Sequence, residues 1–244
     1  MSSAASVVSV RGLSVKFARR TVLDKLDFEL VSGSVTALVG DNGVGKSTLL
    51  RVLVGALAPD EGSVRVLGLD PIRDGARVRA RVGYCPDRFE VAERTTARDW
   101  LEFVARFYPT WNLAEQRRLC ELLELELTPR VAELSKGARA KLGLVAALAH
   151  EPEFLLLDEL FSGLDVAARR AVASAVIGHL REAGRTVLVV SHSVADLERV
   201  ADRVALLEAG RIERHDELES FAVHGRRGVG LEAALLGAKQ ESCS

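Results

Sequence analysis

A nine-residue stretch, Gly40-Asp41-Asn42-Gly43-Val44-Gly45-Lys46-Ser47-Thr48, constrains this chain more than any other. It satisfies G-x-x-x-x-G-K-[ST], and its surroundings supply the context that pattern requires. Val35 to Val39 is a short apolar strand ahead of it, and Lys46 to Ala56 carries Leu49, Leu50 and Leu53 at helical spacing behind it. Strand, glycine-rich loop and helix in that order belong to the doubly wound α/β class. The glycines let backbone N–H groups converge on a phosphate, and the helix N-terminus adds its dipole. Lys46 would reach the β- and γ-phosphates of a nucleotide, and the Ser47 hydroxyl would hold Mg2+. A glycine-rich turn with an exposed lysine is the plainer alternative, and it does not account for the flanking strand and helix.

The rest of the chain alternates around this unit. Val8, Val10, Leu13, Val15, Phe17, Leu26, Phe28 and Leu30 recur with the period of antiparallel strands, with Arg19-Arg20 at a turn. Ser63 to Leu67 predicts another strand after the Pro59 to Gly62 turn. From Asp87 to His150 helical patterns dominate, at Trp100 to Val104, Leu119 to Leu127 and Arg139 to Ala149. Alternation then resumes, with strands at Phe154 to Leu157, Thr186 to Val190 and Val204 to Leu207 and helices at Val166 to Ala183 and Ala195 to Ala201. The pattern predicts an α/β core, residues 1–86 and 151–215, with an N-terminal antiparallel β-subdomain. A helical subdomain, 87–150, is inserted into it, and 216–244 forms a tail.

Phe154 to Leu157 is a continuous apolar strand ending in Asp158 and Glu159. A carboxylate at the C-terminal end of such a strand sits where α/β folds bind ligands, so Asp158 suits a Mg2+ contact. Glu159 is placed to polarise an attacking water. A solvated acidic turn is the ordinary reading of two carboxylates, and the phosphate loop outweighs it. Composition excludes other classes. The formal net charge of the 244 residues is -1, which offers no nucleic-acid footprint. Cys85, Cys120 and Cys243 are dispersed, without disulfide or zinc spacing. The longest apolar run, Leu142 to Ala149, is far short of the roughly 20 residues that span a bilayer.

These motifs in this order resemble the nucleotide-binding subunit of ATP-binding cassette (ABC) transporters, over about Val7 to Ile212. The family's signature turn corresponds to Leu134-Ser135-Lys136-Gly137-Ala138, its D-loop to Ser162-Gly163-Leu164-Asp165, and its switch histidine to His192. Phe17 corresponds to the aromatic that stacks on adenine. Within the family, Phe107 to Asn112, the Ser-Lys-Gly signature and Leu148-Ala149-His150 look like the bacterial ABC-2-type exporter subgroup. The resemblance implies a Mg2+-dependent ATPase that sandwiches ATP in a homodimer, or in a heterodimer with a related subunit. Ser135 and Gly137 of one subunit would then contact the other's γ-phosphate, with Asp165 beside them. It also implies an integral-membrane permease on a separate chain and a cytoplasmic position on the inner face of the membrane. A soluble ABC-type ATPase is the alternative. A module that binds nucleotide without turnover is disfavoured by Glu159 and His192. A cap role is compatible for Ser135, Phe17 could be a strand-core residue, and the Arg73 to Arg81 run reads as a solvated face.

Three positions depart from the family pattern. The signature is Ser-Lys-Gly-Ala rather than Ser-Gly-Gly-Gln, Leu160 replaces a proline after Glu159, and Asp87 stands where glutamine is usual. Asp87 can ligate Mg2+ or a water, and it brings negative charge toward the γ-phosphate.

Overall fold

The computed structural model describes residues 6–87, 94–180, 185–191, 197 and 200–220. Two long alternating segments form β1 (Ser6–Phe17) and β2 (Arg20–Val31), which pair antiparallel and bury Val8, Val10, Leu13, Leu26, Phe28 and Leu30. β4 (Glu61–Val66) joins the other edge of β1, giving a three-stranded sheet of order β2-β1-β4. The second sheet has six strands in the order β5-β6-β7-β3-β8-β9. β3 (Val35–Val39), β6 (Phe154–Asp158) and β7 (Thr186–Val190) are buried along their whole length. That is why they read as unbroken apolar runs, the signature of parallel strands covered on both faces.

The two faces of the six-stranded sheet build two cores. Along β6, Phe154 and Leu156 point into one and Leu155 and Leu157 into the other, as a period of two requires. The first core packs α1 (Lys46–Leu53) between the sheets, through Leu49, Leu50 and Leu53. The second receives α3 (Ala97–Ala105), α4 (Leu113–Leu122), α5 (Lys136–Leu148) and α6 (Val166–Leu180). α3, α4 and α5 all fall between β5 and β6 in the chain. Register then sets the site. Leu38 of β3 and Asp158 of β6 both pair with Val190 of β7. The carboxylate therefore emerges level with the strand end that opens into the phosphate loop. Among the described residues, no helix is long and apolar enough to cross a membrane.

Several boundaries differ from the sequence expectation. α1 ends at Leu53 rather than Ala56, because Gly55 turns left-handed (φ 72) where a Cβ would collide with the Pro71 carbonyl. α4 lies at Leu113–Leu122 rather than Leu119 to Leu127. Asn112 caps its start, accepting from the Ala114 and Glu115 amides, and Glu124 (φ 50) closes its end with the Leu125 amide on the Cys120 carbonyl. β5 (Val82–Cys85), β9 (Arg211–Glu217) and the short α2 (Gly75–Arg79) were not predicted. β5 is only four residues with a glycine inside, tolerated because the Ala147 carbonyl presses against Gly83. β9, Arg-Ile-Glu-Arg-His-Asp-Glu, is a charged edge strand whose apolar alternation is absent. Most of the expected helix at 195–201 (all but residues 197, 200 and 201), the end of the helix predicted to Ala183, His192 and residues 221–244 lie outside the described residues.

Behind the second core sit two buried histidines. Tyr108 stacks on His150 with ring centroids 4.0 Å apart, and Arg185 meets His179 Nδ1 at 3.0 Å. Burial pushes His150 down to about 4, and burial with the Arg185 charge pushes His179 down to about 3. Both therefore stay neutral in the folded chain at pH values where the unfolded chain takes up protons. Their contribution is fully present above about pH 6.5 and is lost as pH falls through about 4 for His150 and about 3 for His179. For His150 the loss is about 2 to 3 kcal/mol. Thermal melts from pH 7.5 to pH 4.5 are expected to show a falling midpoint, and a shallower fall in His150→Asn.

Candidate nucleotide site

The loop leaving β3 forms a cleft of about 330 Å³, lined by Asn42, Gly43, Gly45, Lys46, Ser47 and Thr48 on one side. Its glycines are required where they stand. Gly45 sits at φ 119, and a Cβ there would fall 2.7 Å from Leu23 Cδ2, while one on Gly40 would collide with the Leu207 carbonyl. Gly45 starts α1 without a side-chain cap, and the first turn holds no acidic residue. That leaves amide N–H groups and the positive end of the helix for an anion. Lys46 is 7% exposed, and its Nζ donates to the carbonyls of Gly40 (2.7 Å) and Asp41 (3.0 Å). Burial lowers its pKa, opposed by the charges of Glu159, Asp158 and Asp41.

The opposite wall is acidic. Asp158 is buried, with Oδ1 lacking a hydrogen-bond partner. Burial raises its pKa, the Ser47 hydrogen bond lowers it, and the charges of Glu159 and Asp87 raise it further. A buried carboxylate bonded to a loop serine, with an oxygen to spare and two more carboxylates nearby, suits a small hard cation such as Mg2+. Among the described residues, no three His, Cys, Asp or Glu side chains form a cage. Glu159 and Asp87 also line the cleft. Glu159 stands at φ 52, a left-handed conformation that costs a glutamate about 1 kcal/mol. Its amide donates to the Val190 carbonyl at 2.9 Å, which ties the end of β6 to the end of β7. At the outer rim, Phe17 is 48% exposed rather than packed in the strand core.

The Ser135 turn borders an adjoining cleft, through Leu134 and Lys136, rather than this one. Ser135 caps α5, its Oγ accepting from the Ala138 amide at 3.1 Å, and neither it nor Gly137 lines the phosphate cleft. Asp165 caps α6, its Oδ1 accepting from the Ala168 amide at 2.8 Å.

The family model described as ABC transporter matches residues 23–162, more than half of the chain. The chain belongs to the ABC transporter family. It is 36% identical to the daunorubicin resistance ATP-binding protein DrrA3 of Streptomyces coeruleorubidus, over 96% of this chain and 76% of that one. To the Nod factor export ATP-binding protein I of Sinorhizobium fredii (strain NBRC 101917 / NGR234) it is 34% identical, over 84% of this chain. There it spans only 61% of the relative's length. A solved ATP-binding subunit of an ABC transporter superposes with a TM-score of 0.86 at 28% identity, covering 95% of this chain and 98% of that one. The dimeric post-hydrolysis cassette MJ0796, bound to ADP and Pi, shares the fold at a TM-score of 0.75 and 23% identity, over 86% of this chain and 98% of that one. The chain is thus an ABC ATP-binding subunit with the ABC ATPase fold.

Within that family setting, the structure brings together in one cleft Phe17, Asn42, Gly43, Gly45 to Thr48, Asp87, Asp158 and Glu159. Asp41 and Val44 belong to the loop without lining the cleft, and the Val44 amide donates to the Asp41 carbonyl at 3.4 Å. Ser135, Gly137 and Asp165 do not line it. Sequence reasoning missed Arg20 and Val22, which complete the rim. Arg20 Nη2 reaches the Gly43 carbonyl at 3.3 Å, through the β1–β2 turn. Their neighbourhood with the loop is a long-range contact that no local pattern announces.

Proposed function

We propose that this chain is the ATP-hydrolysing subunit of an ABC exporter, closing on a second copy or a related subunit around ATP and so driving a separately encoded integral-membrane permease. The observation carrying this reading is the separation of two phosphate-recognition elements. Lys46, Ser47 and Thr48 line the phosphate cleft, whereas Ser135 and Gly137 do not. One chain therefore offers only part of the donor set for a γ-phosphate, and a neighbour's signature turn supplies the rest.

In this reading Gly40 to Thr48 cradle the phosphates, Phe17 stacks on adenine, and Ser47 and Asp158 hold Mg2+, with Asp87 a further ligand. The ion supplies charge neutralisation at the β- and γ-phosphates. Glu159 polarises the attacking water, Lys46 offsets developing charge, and His192 holds Glu159 and the γ-phosphate in line. Asp165 reaches the interface at the end of the Ser162 to Asp165 loop, where it caps α6. The domain plan takes residues 1–86 with 151–215 as the core, 87–150 as the helical unit and 216–244 as the tail, save that β9 carries the core sheet on to Glu217. Export is favoured by the relatives named for daunorubicin resistance and Nod factor export. Phe103 and Phe107, 55% and 65% exposed with rings 5.1 Å apart, give the helical unit an aromatic face for the permease. The chain then works in the cytoplasm, on the inner face of the membrane.

The test is purification of the tagged chain from gently solubilised membranes. One hydrophobic chain is expected to stay bound, and the complex to release phosphate from ATP and Mg2+. Recovery in the soluble fraction alone, with no membrane chain retained, would sink the exporter reading. Separately, Asp87→Gln is expected to shift the Mg2+ concentration for half-maximal turnover several-fold. Unaltered Mg2+ dependence and turnover would end the metal-ligand role of Asp87.

A further inference from the structure

The loop that follows Glu159 is held at both ends. Its start is fixed by the Glu159 amide on the Val190 carbonyl, and its end by Asp165 capping α6. Between them, the Ser162 amide donates back to the Glu159 carbonyl at 3.0 Å, so Ser162 and Glu159 share one turn. A side chain from the signature turn grips that turn. Lys136 Nζ donates to Ser162 Oγ at 2.9 Å. Its aliphatic stem lies over Gly163, where an added Cβ would come within 3.1 Å of Lys136 Cδ. One residue on, Gly137 faces Leu164, leaving 3.2 Å between an added Cβ and Leu164 Cδ2. Lys136, Arg139, Ser162, Asp87, Asp158 and Glu159 all border a second cleft of about 620 Å³, beside the phosphate cleft.

We infer that Lys136 is a positioning residue, a latch that ties the signature turn to the loop carrying Glu159. The inference deepens the ATP-sandwich reading and rests on it for its consequence. Ser135 and Gly137 would serve a neighbour's ATP, while Glu159 acts on the chain's own. A bond from Lys136 to Ser162 joins the two, so ATP engaged by the signature turn sets the Glu159 turn of the same chain. The lysine that departs from the family's glycine thus couples the two ATP sites of a dimer. Its stem supplies the packing on Gly163, and its ammonium supplies the directional bond.

The experiment uses the full chain with Lys136→Met, Ser162→Ala, the double variant and Lys136→Arg. Methionine keeps the stem and removes the donor; arginine keeps a donor. In the nucleotide-free chain, amide hydrogen exchange across residues 160–164 is expected to rise about threefold or more in Lys136→Met and Ser162→Ala. With ATP and Mg2+, both variants are expected to lose about tenfold in kcat with KM within about twofold. The double variant should be no worse than either single one, and Lys136→Arg should restore most of the turnover. Unchanged exchange in Lys136→Met overturns the latch. So does a raised KM in Lys136→Met that Ser162→Ala fails to reproduce, since that would mark a direct phosphate contact. If wild type turns over no ATP, the functional reading falls, and the exchange comparison still decides the latch.

Discussion

Glu159→Gln is expected to cut ATP turnover at least about 100-fold while leaving ATP binding intact and the dimer closed. The reasoning starts from where Glu159 stands. β6 delivers it directly after Asp158, on a turn held by the Val190 carbonyl, in the left-handed region at φ 52. Glutamine has the same length and pays a similar backbone cost, so the turn keeps its shape and the melting temperature stays within a few degrees. What it loses is the ability to accept a proton from the attacking water. It also removes one negative charge beside Asp158, whose pKa the Glu159 carboxylate raises. Less repulsion reaches the γ-phosphate, so the ATP-bound form gains at the expense of hydrolysis. Sedimentation with ATP and Mg2+ should show a persistent dimer in the variant, and phosphate release should be nearly lost. A variant that stays monomeric with ATP and Mg2+ would remove the sandwich from this protein.

What could be read in the sequence depended on how local the cause was. The phosphate loop is legible because its three glycines, lysine and serine act through neighbours in the chain. β3, β6 and β7 are legible because burial on both faces writes an unbroken apolar run. β9 escaped because a charged edge strand owes its place to hydrogen bonds with β8 rather than to its own side chains. Arg20 and Val22 escaped because their route to the cleft runs through the packing of one sheet's β2 against the loop that leaves the other sheet. The backbone of Glu159 is not written in its identity, since a left-handed glutamate arises from what the turn must reach. The contact of Lys136 with Ser162 joins positions 26 residues apart in the chain, and only packing of α5 on the D-loop makes it visible.

The separate seats of Lys46 and Ser135 make the second large effect a matter of mixing. Lys46→Ala removes the ammonium that the loop holds at its own carbonyls, and a chain without it is expected to lose at least about 100-fold in turnover. Ser135→Arg fills the signature turn with a bulky cation and removes both the α5 cap and the donor, with a loss of the same order. Each variant alone is therefore dead. If each ATP needs Lys46 from one copy and Ser135 from the other, a mixed dimer contains one site with both defects and one with neither. An equimolar mixture that exchanges freely puts half of its dimers in the mixed form, each with one intact site, so about a quarter of wild-type turnover returns if the two sites act independently, and less to the extent that the Lys136 latch makes one site depend on the other. A site built within a single chain cannot be rescued this way, because every chain in the mixture carries a defect. Phosphate release measured against the fraction of one variant should rise from near zero, peak at equal amounts and fall again. A flat line near zero would mean that the second signature turn comes from a different subunit, that Ser135 does not act across an interface, or that the two sites turn over only together; in the last case the mixed dimer still closes on ATP in sedimentation.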